Sequence, residues 1–187
     1  MSLETFKELI RKGEFVILDT ETTGLHRGEI VSIAILAADG EPLYTSLVKP
    51  VNGIPEDASR IHGLYAEHVE AAPSWGEVSL QVEAILSGRD VVVYNAVYDR
   101  KMMYQSAEAC GMDKTEWKTI SRWWCAMEAY AEFYGDWNDY HQSYRWQSLS
   151  NACYQQEITV DDAHSALGDC KMTLAICKKL AIVEEVS

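Results

Sequence analysis

Asp19 and Glu21, two residues apart in the segment Phe15-Val-Ile-Leu-Asp-Thr-Glu-Thr-Thr-Gly24, are the side chains around which chemistry in this chain would be built. Phe15 to Leu18 is a short apolar run with strand character, and Thr22-Thr23-Gly24 reads as its exit turn. Residues i and i+2 of a strand project to the same side, roughly 6–7 Å apart. Both carboxylates should therefore stand side by side at the end of a buried strand. Anions held that close repel unless a cation neutralises them or one takes up a proton. Oxygen-only ligands favour a hard divalent ion, Mg2+ or Mn2+. A strand running into a solvated polar turn is the plain alternative, so the other acids of the chain must decide.

Asp99 follows the apolar run Val91-Val-Val-Tyr94 and opens a helix, where an acid also favours the positive N-terminal end of the helix dipole. Asp169 lies within the last helix, where a solvated face is the ordinary reading. His164 precedes it by five residues, equivalent to about 140° of helical rotation and about 7.5 Å of rise. A helical His164 would face away from Asp169. It can join a common site only from the entry turn, behind the acidic cap residues Asp161 and Asp162.

The elements that would carry these side chains are legible in part. Leu3, Phe6, Leu9 and Ile10 predict an amphipathic N-terminal helix and not a targeting peptide. Ile30 to Ala38 and Pro42 to Val48 predict strands around the hairpin dipeptide Asp39-Gly40, followed by a loop from Pro50 to Pro55. Ser74 and Glu77 form a capping box for a helix that stops at Gly88. Val91 to Tyr94 reads as a strand buried on both faces, and the helix opened by Asp99 runs to about Cys110. The final helix shows Ala163, Leu167, Cys170, Leu174, Cys177 and Ala181 in steps of four and three. Between 116 and 146 lie five of the six tryptophans, with a helix expected over Cys125 to Phe133, a polar loop over Gly135 to His141 and a short helix over Trp146 to Cys153. Strands alternating with helices predict a mixed sheet covered on both sides, an α/β architecture.

At 187 residues a single domain, 1–187, with the 116–146 segment as an aromatic-rich elaboration, is expected. No apolar run is long enough to span a bilayer. The five cysteines, with no Cys-x-x-Cys and no secretory signal, read as reduced core thiols of a cytoplasmic protein. The net charge of −13 argues against a general nucleic-acid coat protein, which needs Lys and Arg against phosphates. It leaves room for an enzyme that grips one strand end through metals, local basic groups and stacking.

Taken together, Asp19-Thr-Glu-Thr-Thr-Gly24, Ile61-His-Gly63 with Pro73, Asn95-Ala-Val-Tyr-Asp99 and His164-Ser-Ala-Leu-Gly-Asp169 resemble the DnaQ-like (DEDDh) family of 3′–5′ exonucleases, across residues 15 to 180. The resemblance implies a ribonuclease H-like fold with a central mixed five-stranded sheet flanked by helices. It implies that Asp19, Glu21, Asp99 and Asp169 bind two divalent metals, and that His164 acts as general base. A bound metal acidifies water enough to supply a nucleophile at neutral pH, and histidine is the side-chain type suited to take its proton. Thr22, Thr23 and Gly24 would let the backbone approach the terminal nucleotide, Leu25 or Ile61 would wedge its base, His62 would approach its sugar or phosphate, and Asn95 would position the strand. Tyr94 and Tyr98 stand where the family often has His and Phe.

The leading expectation is a metal-dependent exonuclease acting on the 3′ end of single-stranded nucleic acid, DNA before RNA, to release nucleoside 5′-monophosphates. A 3′–5′ exoribonuclease of the ribonuclease T or oligoribonuclease kind is the alternative within the enzyme class. The alternative outside it is a nuclease-like adaptor subunit that docks a polymerase or other partner through its aromatic segment.

Overall fold

The N-terminal helix α1 (Leu3–Lys12) starts on Ser2, whose hydroxyl accepts from the Thr5 amide, and ends on left-handed Gly13. It hands the chain to β1 (Phe15–Thr22), in a computed structural model that describes residues 2–159 and 163–182. β1 continues four residues beyond its apolar start. The cause is pairing: β2 (Ile30–Ala37) runs antiparallel to it, with Asp19 opposite Ala34 and Glu21 opposite Ser32. The ladder carries the acidic residues in the strand against their own propensity. β3 (Pro42–Leu47) follows through the expected Asp39-Gly40 turn.

The loop after β3 includes the expected stretch from Pro50 to Pro55. It leads into α2 (Glu56–His62) and α3 (Ala66–Val69), two helices too short and polar to show an apolar period. α4 (Trp75–Leu86) begins on the predicted capping box, with Glu77 accepting from the Ser74 amide. β4 (Asp90–Val93) is buried at every position and pairs parallel to β1. α5 (Ala96–Ala109) and α6 (Trp117–Ile120) then lead to β5 (Arg122–Cys125), which pairs parallel to β4. The sheet order is β3-β2-β1-β4-β5, the mixed five-stranded sheet expected.

Residues 116–146 need correction at two points. Arg-Trp-Trp-Cys forms β5, which its composition does not announce. After α7 (Ala126–Tyr134), the stretch expected as loop is a small hairpin of β6 (Trp137–Asn138) and β7 (Ser143–Tyr144), braced by the Trp137 and Tyr144 rings at 5.0 Å. α8 (Leu149–Gln155) starts three residues later than predicted, and α9 (Ala166–Ile182) excludes Ala163, which is exposed in the preceding turn.

α9 packs across β1 and β2 and against α1, α7 and α8. The core cluster, on both faces of the sheet, joins Phe6, Ile17, Leu18, Ile33, Ile35 and Leu36 with Ile176 and Leu180. Each such side chain contributes about 1.5–3 kcal/mol on burial. Trp117 is buried against Trp75, so part of the aromatic wealth is core, whereas Trp137 and Trp146 are exposed. All five thiols are free, four of them buried. No helix among the described residues is long and apolar enough to cross a membrane.

Candidate active site

A strand sends alternate side chains to opposite sides, and β1 uses both. Asp19 and Glu21 turn towards α9, whose first turn carries Asp169. One carboxylate oxygen from each of the three lies within 4.8 Å of the others. Thr20 and Thr22 turn towards α5 instead. The Thr20 hydroxyl donates to Asp99 Oδ1 at 2.7 Å, and the Thr22 and Tyr98 hydroxyls share a hydrogen bond of 2.6 Å. Two helices on opposite sides of one strand thus deliver Asp169 and Asp99 to its end.

The four acids act on one another. Burial pushes the Asp19 carboxyl well above its ordinary range, and the charges of Asp99, Asp169 and Glu21 push it further. Burial, then Asp169 and Asp99, raise Glu21 to about 7. Asp99 is raised by burial, against the pull of the Thr20 hydroxyl. Cys170, behind the cluster, is raised by burial and by three of the acids, and stays an unreactive thiol. Carboxylates gathered this closely, all offering oxygen, fit a hard divalent cation.

His164 lies in the turn before α9, with a φ of 64°, and its backbone N–H donates to Asp169 Oδ1 at 3.2 Å. The turn therefore folds onto the site carboxylate, and the exposed imidazole escapes the helical geometry that would have turned it away. Ser165 caps the helix, its Oγ accepting from the Gly168 amide. Asp161 and Asp162, expected as the cap, lie outside the described residues.

Beside the carboxylates opens a cavity of about 440 Å3, walled by Glu21, Thr22, Gly24, Leu25, Ile61 and His62 among others. Leu25 and Ile61 are 67% and 62% exposed, so Ile61 is not core; both leave apolar surface bare at the cavity. His62 Nδ1 accepts from the Leu64 amide, and burial lowers its pKa, keeping the ring neutral. Two of the expected contact residues stand back from the wall. The Thr23 hydroxyl accepts from the Glu29 amide and closes the loop to β2. Asn95 precedes α5, and its carbonyl accepts from the Tyr98 amide at 2.9 Å, setting the first turn that carries Asp99.

The loop itself is tightly specified. Gly24 has a φ of 136°, which favours glycine. A Cβ on Gly28 would lie 2.0 Å from the Gly24 carbonyl oxygen. The buried Glu29 carboxylate accepts from the Val51 and Asn52 amides and from Asn52 Nδ2, tying this loop to the one that enters α2. Thr20, Glu29 and the Tyr98 hydroxyl are supports that the residue pattern did not reveal. For Thr20 the signal existed, since a hydroxyl between two strand acids must face the opposite side.

An acidic cluster at the end of the central strand, in a sheet of this order and flanked by helices, defines the ribonuclease H-like class of nucleases. The RNase_T family model, described as Exonuclease, matches residues 16–177. The chain belongs to that family and is an exonuclease, with an acidic cluster that could hold a metal ion. It is 37% identical to the uncharacterized exonuclease CP81 of Escherichia phage 186 over 170 residues, 89% of this chain and 87% of that protein. It is 25% identical to DNA polymerase III subunit epsilon of Treponema pallidum, over 87% of this chain and 74% of that one. Among solved structures, E. coli Exonuclease I in complex with a dT13 oligonucleotide superposes with a TM-score of 0.74 at 18% identity. It is matched over 91% of this chain, which spans 41% of Exonuclease I, and the likeness is one of fold.

Proposed function

We propose that this chain, as a single exonuclease domain, removes nucleotides one at a time from the 3′ end of single-stranded nucleic acid, DNA ahead of RNA, and releases nucleoside 5′-monophosphates. The observation that carries the reading is the convergence of the Asp19, Glu21 and Asp169 oxygens within 4.8 Å, with Asp99 close enough to act on two of them. In this reading Asp19, Glu21, Asp99 and Asp169 hold two divalent cations, Mg2+ or Mn2+. When bound, they would activate water and offset the charge on the leaving oxygen.

The chain's own groups do the rest. Leu25 and Ile61 offer an apolar wall to the terminal base, and Gly24 lets the backbone approach the nucleotide without a side chain between. Thr22, paired with Tyr98, and the neutral His62 face its sugar. His164 takes the proton of the attacking water from a turn hinged on Asp169. Thr23 and Asn95 contribute by holding the loop and the first turn of α5.

A 5′-labelled single-stranded oligonucleotide, supplied as DNA and as RNA with Mg2+, Mn2+ or chelator, tests this. The expected result is a ladder shortening from the 3′ end and abolished by chelator. A blocked 3′ terminus degraded as fast as a free one would refute the end-directed reading, and a clear preference for RNA would move the substrate to the exoribonuclease alternative.

A subunit role is the second reading, favoured by exposed Trp137, Tyr140 and Trp146 on and beside the β6–β7 hairpin and by the likeness to a polymerase III epsilon subunit. A polymerase added to the digestion should then raise the rate; an unchanged rate and no co-migration on size exclusion would remove it.

A further inference from the structure

On a chain with 29 acidic and 16 basic side chains, Arg100, Lys118, Ser121, Arg122 and Trp123 line one common groove of about 450 Å3, between α5, α6 and the edge strand β5. It is distinct from the cavity beside the carboxylates, yet Arg100 is the residue after Asp99 on α5. Its guanidinium lies over the Trp123 ring, 5.2 Å from the centroid. The ring is itself held, its Nε1 donating to the Trp117 carbonyl at 2.9 Å. Arg122 is partly spoken for: it pairs at 2.6 Å with Asp90, which also accepts from Trp124 Nε1. Arg100 and Lys118 make no ion pair among the described residues. Asp99 and Glu128 act on Arg100 only at longer range.

We propose that this groove binds the phosphodiester backbone of the same single strand whose 3′ end enters the active site, at phosphates upstream of the one cleaved. The inference rests on the proposed function and adds a second contact to it. The chemistry is that of a single-strand track, with cations for phosphates and an aromatic face fixed beside them. It also answers a problem of charge. A molecule of net charge −13 repels a polyanion, so its grip must come from a local cluster. A guanidinium laid over a ring in advance loses little freedom on meeting a phosphate. Lys118, exposed on α6, supplies a second charge on the same groove.

The test exploits length. A dinucleotide with free 5′ and 3′ hydroxyls has one phosphate, the one cleaved, and nothing left for the groove. Steady-state kinetics with Mg2+ should give Arg100→Ala/Lys118→Ala and, separately, Lys118→Glu a KM at least about fivefold higher on a 20-nucleotide strand, with the dinucleotide KM and kcat within about twofold of wild type. Fluorescence anisotropy on the same 20-mer, in an Asp19→Asn background to prevent cleavage, should show a weaker salt dependence. Two phosphate contacts removed make the slope of log Kd against log salt shallower by about 1.4. Equal KM rises on both substrates would mean that the variants disturb the catalytic acids, and would overturn the proposal, as would unchanged KM and slope on the long strand. A wild-type chain that cuts neither substrate would refute the proposed function instead, and the anisotropy comparison would still decide the groove.

Discussion

Asp19 carries a carboxyl pushed well above its ordinary range by burial and by three other acids. Without cations, removing its charge should help the fold and only harm the chemistry. Asp19→Asn is therefore expected to stabilise chelator-treated protein at pH 8 by on the order of 1–3 kcal/mol, seen as a raised melting temperature. Exonuclease activity should fall about a hundredfold or more, beyond the 10–100-fold typical of outer-shell changes at metal sites. Calorimetry and the labelled-strand assay measure the two effects, and a destabilised Asp19→Asn protein would contradict the electrostatic picture. Thr20 makes the converse case. Its hydroxyl favours the ionised form of Asp99, so Thr20→Val should cost about 1–2 kcal/mol and shift the Mg2+ activation curve to higher concentration, read as rate against free Mg2+.

At the scale of elements, β1, α5 and α9 are joined through charges that differ between the folded and unfolded chain. Glu21 titrates near 7 when folded against about 4.5 when free, so the native state binds more protons between these values. Stability must then fall as pH rises from about 4.5 to about 7, and stay low above it. Chelator-treated protein should lose melting temperature over that window, and millimolar Mg2+ should restore it at pH 8 while doing little at pH 4.5. The β1–β2 loop has a steric prediction of its own. Gly28→Ala places a methyl group 2.0 Å from the Gly24 carbonyl, and should cost more than about 2 kcal/mol, measurable by urea denaturation. How legible each element was follows from what forms it. Helices with a capping box or a long apolar stripe, α4 and α9, were readable because their signals are local. β5 was not, because Arg-Trp-Trp-Cys becomes a strand only beside β4. The β6–β7 hairpin, two residues on each side, is too short for alternation to register.

For the molecule as a whole, strand spacing made the Asp19–Glu21 pair legible, whereas Asp99 and Asp169 read locally as a helix-opening acid and a solvated face and joined the pair only through the family resemblance. The exonuclease family carried the order of the four segments, and the structure added what backs them: Thr20 under Asp99, Ser165 capping α9 and Glu29 tying two loops together. The Thr20 and Glu29 contacts join residues far apart in sequence, which no local pattern encodes. The sealed interior has its own consequence. Four of the five thiols are buried and Cys110 is half-buried, so a thiol-reactive chromogen should label at most one thiol in the native protein and all five after denaturation. Rapid labelling of two or more would show a core looser than described.

The account stands on Asp19, Glu21, Asp99 and Asp169 forming one site for divalent cations. Titration calorimetry of the metal-free protein with Mn2+, in the presence of a nucleoside 5′-monophosphate, addresses that directly. Two Mn2+ ions per chain should bind to the wild type, and this binding should be lost in Asp19→Asn and Asp169→Asn. An absence of Mn2+ binding at millimolar concentration, or binding unchanged in both variants, would contradict it.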